Sequence, residues 1–415
     1  MWLKEKLNQI NSANIKKELE EVKKDNERLY AGHRGLEEEI NFLKYRIQTL
    51  DELHESVVMK TWPHDGSFKN CICEYPFIRA EILPRGEVYT CCSAYVKHNY
   101  YIGNIYEAED FDSIWNSDKA KKLRYAVSEG NFEYCQKHCK FLHMPVEKLS
   151  NALGGGVPVR IKRENESYAC WQECRVDTAP LYIALSCDET CNLYCPTCRS
   201  NVRVLNKEES DKLYDRLMKI VRPMMKDCRI LGGLGTGELF ASSAISRFYK
   251  TLTAEEFPQL KLIITSNLQL LTKEKWAEFS NLLGFPKDFF VSMDGATKET
   301  YEHNRAGANW EKMMENLGYL CSLRKASNAH LEHIGLNFVV QENNFREIPQ
   351  FVSMAKQLGV DAVWFQKFTN WGTFTENEYR QKNVFDPQNE YYAEAMDILQ
   401  NAIKEKGIEI VQNII

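Results

Sequence analysis

From Leu181 onward the chain alternates short strand-like runs with longer helix-like stretches, and this repeat constrains the fold more than any other feature. The strand-like runs are Leu181–Ser186, Arg229–Leu234, Lys261–Ser266, Phe289–Met293, His333–Val340 and Asp361–Gln366. Helix-like stretches follow them, among them Lys207–Val221, Lys273–Leu283, Asn309–Leu323 and Phe345–Leu358. Strands and helices in alternation predict parallel β/α units. Six units fall two short of a closed (β/α)8 barrel. The expected class is therefore α/β, with a partial (β/α)6 TIM-like barrel open on one side. Ligands of such a barrel belong at the C-terminal ends of its strands.

What precedes the repeat differs in character. Residues 15–57 carry a heptad in which apolar residues recur at alternating steps of four and three. Ile40 and Ile47 fall at a positions, leucines dominate d, and Asn26 is a polar a residue. This pattern predicts an N-terminal coiled-coil helix over residues 1–60 and a homodimer formed through residues 15–57. Gly32 and Gly35 each weaken a helix by roughly 1 kcal/mol, and a turn there would give an antiparallel hairpin within one chain instead. Residues 61–149 replace the heptad with turn residues, short β-like runs and six cysteines, as in a small α+β domain. Residues 150–178 form a linker with the flexible run Leu153-Gly154-Gly155-Gly156-Val157-Pro158 and the pair Cys170/Cys174. Residues 179–415 make the barrel domain.

Composition narrows the function classes. The 415 residues are 44% hydrophobic and 27% charged, with a net charge of -5. No basic face of the kind that binds nucleic acid is apparent. No apolar run is long enough to span a membrane, and the start lacks the apolar stretch of a secretion signal. A cytoplasmic protein is expected. Its fourteen cysteines then point to metal binding or catalysis rather than disulfides. Cys228 and Cys321 stand alone in apolar segments and read as small core residues.

Cys191, Cys195 and Cys198 follow the first strand with the spacing C-x3-C-x2-C. A loop at a strand end can wrap three thiolates around an iron-sulfur cube, which would leave one iron without a protein ligand. Cys187, on the strand end, reads as packed. A structural zinc site would take four ligands, and a chance grouping of core cysteines is the other bland reading.

The run Cys191-Asn192-Leu193-Tyr194-Cys195-Pro196-Thr197-Cys198 resembles the signature of the radical S-adenosylmethionine (SAM) superfamily. The resemblance spans residues 181 to about 370 and implies a [4Fe-4S] cluster whose open iron chelates SAM. Reduction would cleave SAM to a 5′-deoxyadenosyl radical that takes hydrogen from a substrate. Gly235, Gly237 and Glu238 match the family's Gly-Gly-Glu element, with Leu239 where proline is usual. Asn267 matches its Thr-Asn-Gly turn, with Leu268 in place of glycine. Ser292 and Asp294 share one face of the fourth strand and match the SAM-ribose region; Arg305 offers a guanidinium fork to the SAM carboxylate. A turn role for Asp294 and a solvated helix charge for Arg305 remain open. Asn337 and Gln366 read equally as ligand contacts or structural residues.

Ahead of the barrel, Cys73, Gly86, Cys91, Ile102-Gly103-Asn104-Ile105, Ile114-Trp115-Asn116 and Cys135-x3-Cys139 resemble the SPASM/twitch auxiliary-cluster module. The family places this module after the barrel, whereas here it lies N-terminal to it. The resemblance implies that Cys73, Cys91, Cys135 and Cys139 hold an auxiliary [4Fe-4S] cluster; zinc is the alternative, and Cys71 or Cys92 substitutes for its neighbour in other ligand sets. It further implies an oxidoreductase-type enzyme fed by an electron donor such as flavodoxin or ferredoxin. The expected substrate is a peptide or protein, with a carbohydrate or other small molecule as the alternative. A non-catalytic iron-sulfur or zinc scaffold is the competing class.

Overall fold

The computed structural model describes residues 73–97, 100–136, 139, 170–233, 235–325 and 329–413. The predicted coiled coil and dimer segment, Cys71 and linker residues 150–169 lie outside them.

Ten strands among the described residues form one sheet in the order β10-β9-β8-β7-β6-β5-β4-β1-β2-β3. They are β1 (Arg79–Ile82), β2 (Glu87–Tyr89), β3 (Gly103–Asn104), β4 (Tyr182–Leu185), β5 (Ile230–Gly232), β6 (Lys261–Ser266), β7 (Lys287–Ser292), β8 (Leu331–Val340), β9 (Ala362–Lys367) and β10 (Glu409–Asn413). Strands β4 to β9 correspond to the six runs read from the sequence. They pair in parallel with their sequence neighbours, as β/α connections require.

Two more parallel strands flank these six. β10 pairs with β9. At the other side, β1 of the cysteine-rich region pairs in parallel with β4, matching Arg79 to Tyr182 and Ile82 to Leu185. β1 then turns through β2 and β3 by antiparallel pairing. The cysteine-rich region and the β/α repeat thus share one sheet and one core. Ala80 and Ile82 are fully buried in the same apolar cluster as Ile183 and Leu185.

Burial alternates along the central strands. In β6, Leu262 and Ile264 are buried and Ile263 and Thr265 are half-buried; in β7, Phe289 and Val291 alternate with Phe290 and Ser292. One face packs on the helices in the main core. The other face carries Gly232, Thr265, Ser292, Asn337 and Gln366, by period two and the parallel register.

The helices obey ordinary end rules. Lys207–Arg216 opens with a capping box of Asn206 and Glu209. Trp310–Leu323 is capped by Asn309. Ile348–Leu358 ends at Gly359 in the left-handed conformation (φ 70°). Cys228 is buried in the core, and Cys321 packs against it half-buried. No helix of the described residues is long and apolar enough to cross a membrane.

Residues 170–178 fold back on the cysteine-rich region. Trp115 Nε1 donates to the Thr178 carbonyl at 3.0 Å, and Asn116 exchanges two hydrogen bonds with the Val176 backbone at 3.0 and 2.9 Å. The Trp171 ring receives the ammonium groups of Lys121 and Lys122 from the helix Asp118–Ser128.

Candidate active site

The loop after β4 is fixed before any cysteine is considered. Asp188 Oδ1 accepts from the Thr190 amide at 2.7 Å, and Ser242 Oγ donates to Asp188 Oδ2. The Thr190 carbonyl accepts from the Glu238 amide at 2.8 Å, and its hydroxyl accepts from the Leu205 amide at 3.0 Å. This seat explains the glycine turn after β5. A Cβ on Gly237 would lie 2.3 Å from the Asp188 carbonyl oxygen and 2.9 Å from that of Thr190. Gly235 needs its left-handed backbone, φ 72°.

On this seat, Cys191, Cys195 and Cys198 line one cleft together with Gly235, Gly237, Glu238, Asn267, Ser292 and Arg305. All but Arg305 reach it from loops or residues at the C-terminal ends of β4 to β7; Arg305 caps the C-terminus of the helix Lys298–Asn304 that follows β7. Cys191 and Cys195 are buried, while Cys198 is exposed. The Leu193 amide donates to Cys191 Sγ at 3.4 Å, and Asn267 Nδ2 lies 3.7 Å from the same sulfur. Arg305 Nη1 is 3.9 Å from Cys195 Sγ. Burial pushes both the Cys191 and the Cys195 thiol up, opposed by the Leu193 amide in the first and by Arg305 in the second. A bound metal removes that penalty by taking the thiolate as ligand.

Glu238 is buried, yet both of its oxygens are engaged. Oε1 accepts from Ser266 Oγ at 2.9 Å and Oε2 from the Asn267 amide at 2.8 Å. Burial pushes its carboxyl up, and these bonds with Arg305 pull it back. Leu268, at the glycine position of the family turn, adopts φ 56°. This left-handed conformation is one that glycine adopts more readily than leucine.

Asp294 and Arg305 come together instead of standing apart. Arg305 Nη2 and Asp294 Oδ2 are 2.8 Å apart in a buried ion pair, and Asp294 Oδ1 accepts from the Val339 amide at 2.7 Å. Burial opposes the charge on Arg305, but Asp294 and Cys195 outweigh it. Ser292 faces the cleft beside them. Asn337 is on the same sheet face, paired in register with Ser292, and accepts from Gln366 Nε2 at 3.4 Å.

Sequence reading missed Arg199. It is 8% exposed, donates to Cys198 Sγ from Nε and Nη2, and reaches the Glu189 and Thr236 carbonyls. Its only sequence signal is adjacency to Cys198. Cys187 is packed in the main core, as its place on the strand end suggested.

The second cysteine set gathers at the other end of the first strands. β1 and β2 pair Glu81 with Tyr89, so the ladder carried back two residues sets Arg79 opposite Cys91, where β1 begins. Cys135 forms an isolated bridge with Val96. Burial pushes the Cys73, Cys91 and Cys135 thiols up, and neighbouring cysteines add to the rise. Cys92 is half-buried beside them, and Cys174 is fully buried. Among the described residues, no three His, Cys, Asp or Glu groups converge on one ion-sized point.

Comparison with known proteins adds to this geometry. Residues 71–140 match the family model of the SPASM domain, an iron-sulfur cluster-binding domain. This SPASM span contains Cys73, Cys91, Cys135 and Cys139 and precedes the Cys191–Cys198 loop in the chain. With the thiol sets described above, it supports iron-sulfur clusters as cofactors. A curated relative, the tungsten-containing aldehyde ferredoxin oxidoreductase cofactor-modifying protein of Pyrococcus furiosus, is 29% identical over 188 residues, 44% of this chain and 50% of the relative. The chain thus matches about half the length of that protein. Among solved structures, Streptococcus suis SuiB bound to SAM has a TM-score of 0.42 at 16% identity, covering 57% of this chain and 51% of SuiB. SuiB bound to its precursor peptide SuiA has a TM-score of 0.41 at 14% identity, covering 71% of this chain and 65% of SuiB.

Proposed function

We propose that the chain is a radical SAM enzyme acting on a peptide or protein. A [4Fe-4S] cluster on Cys191, Cys195 and Cys198, reduced by a donor such as flavodoxin or ferredoxin, would supply the electron that cleaves SAM to methionine and a hydrogen-abstracting 5′-deoxyadenosyl radical. The observation that carries this reading is the single cleft at the strand ends in which those three thiols meet Glu238, Asn267, Ser292 and Arg305.

The chain's own groups divide the work. Gly235 and Gly237 keep the wall of the cleft free of side chains. Glu238, held on both oxygens, presents a fixed acceptor for the SAM ammonium. Asn267 spans Cys191 and Asn192 and ties the cluster loop to the end of β6. Ser292 is free to meet the ribose. Asp294, with both oxygens engaged, suits holding Arg305 for the SAM carboxylate better than contacting the ribose itself. Preorganised donors and charges of this kind are most effective where water is excluded.

A second reading of the substrate has its own support. The P. furiosus relative is named for modifying a cofactor, which favours a small molecule. Incubation with dithionite and SAM tests the shared chemistry. The reconstituted chain should release 5′-deoxyadenosine, and Cys191→Ala, Cys195→Ala and Cys198→Ala should each abolish the release. Release at the wild-type rate from the triple variant would refute the assignment.

A further inference from the structure

We propose that Arg199 is the positioning residue for the outermost cluster thiolate, Cys198, and sets the potential of the cluster; this rests on the cluster assignment above. Cys198 is exposed where Cys191 and Cys195 are buried. An exposed ligand sulfur is open to water and to rotation away from its iron. Arg199 counters both. Its Nε and Nη2 donate to Cys198 Sγ at 3.4 and 3.3 Å.

The guanidinium is itself anchored. Nη1 donates to the Glu189 carbonyl, at the start of the cluster loop, and Nη2 also donates to the Thr236 carbonyl, in the glycine turn after β5. Glu189 is tied in turn to Arg203, across the same loop. One buried side chain therefore joins the loop's entry, the SAM-side turn and the outer sulfur. The backbone between them is equally set, since the Cys198 and Arg199 amides both donate to the Cys195 carbonyl, at 2.9 and 3.0 Å. A planar fork with five donors makes this set of bonds; a lysine ammonium carries the charge but not the geometry.

The electrostatic consequence follows. Hydrogen bonds and positive charge on a ligand sulfur draw electron density from the cluster and stabilise its reduced form, and solvent exposure of the sulfur acts on the same quantity. Arg199 delivers both bonds and charge to the one ligand that water also reaches. Its loss should lower the potential and loosen that corner.

The test uses the full chain, anaerobically reconstituted, with an EPR-monitored redox titration of the cluster signal that Cys191→Ala removes. Arg199→Lys should keep the cluster with its midpoint shifted to lower potential. Arg199→Gln should shift it further and release iron to a chelator several-fold faster. A purely structural arginine would change iron retention alone. An unshifted midpoint in Arg199→Lys, with the cluster in place, overturns the proposal even where Arg199→Gln fails to hold iron. If wild-type protein shows no signal sensitive to Cys191→Ala, the cluster assignment falls and the arginine's role falls with it.

Discussion

Leu268 pays for its place in the turn after β6 and recovers more than it loses. Its φ of 56° costs a non-glycine residue about 1–2 kcal/mol, but its side chain is fully buried. Truncating a buried leucine costs about 2–5 kcal/mol, so burial wins over strain. Leu268→Gly, although it restores the family residue, should therefore destabilise the fold by about 2 kcal/mol. A urea midpoint equal to or above that of the wild type would show that strain dominates. Lys287, the first residue of β7, is 1% exposed, and its ammonium donates to the Ala329 carbonyl. Burial pushes it down to about 8, with Glu332 opposing. The unfolded chain, with an ordinary lysine near 10.4, binds the proton more tightly than the folded one. Stability should then rise with pH from about 8 toward 10, the penalty being full below that window. Lys287→Met should remove that rise from unfolding free energies measured across the window; a rise that persists in the variant would place its origin elsewhere.

At the scale of elements, legibility followed locality. The six runs that became β4 to β9 announced themselves by apolar composition and by helices between them. The cysteine triplet stood out by its local spacing and the Gly235–Gly237–Glu238 turn by its resemblance to a family element, and the structure brings both into one cleft. β1 was hidden for the opposite reason. Arg79-Ala80-Glu81-Ile82 alternates charge with apolar residues, which reads as a strand with one wet face. In the fold, Arg79 and Glu81 are 3% and 2% exposed. They form a pair at 3.5 Å, the guanidinium lies 5.2 Å from the Tyr182 ring centre, and Glu81 accepts from the Ser93 amide at 2.6 Å. Only partners distant in sequence make that burial tolerable, and nothing local reports them. β10 was missed because it is an edge strand with exposed ends, Glu409 and Asn413, and only three half-buried residues between them, where hydrophobic pattern is weakest. Arg199 and the Asp188–Ser242 bond belong with β1, as tertiary contacts between ordinary residues.

Across the whole molecule, the strand that joins the SPASM region to the sheet also separates the two thiol sets. Cys91 falls opposite Arg79, level with Tyr182 at the start of β4, whereas Cys191 follows the end of that strand. Four residues of parallel strand rise about 10 Å in all, and the loop beyond Leu185 adds to this. A cluster on Cys73, Cys91, Cys135 and Cys139 would therefore not share ligands or a substrate contact with the cleft over β4 to β7. It would hold the edge of the sheet or pass electrons from that end. Cys73→Ala/Cys91→Ala should lower the iron from roughly eight to roughly four per chain, one cube's worth, while SAM cleavage driven by dithionite continues. A small reductant would reach a cluster in the cleft directly on its exposed Cys198 side, so this assay would bypass any relay. Cleavage driven by a protein donor should fall if the relay role holds and stay level if the role is structural. An iron content of roughly four in the wild type, unchanged in the double variant, would remove the auxiliary cluster altogether.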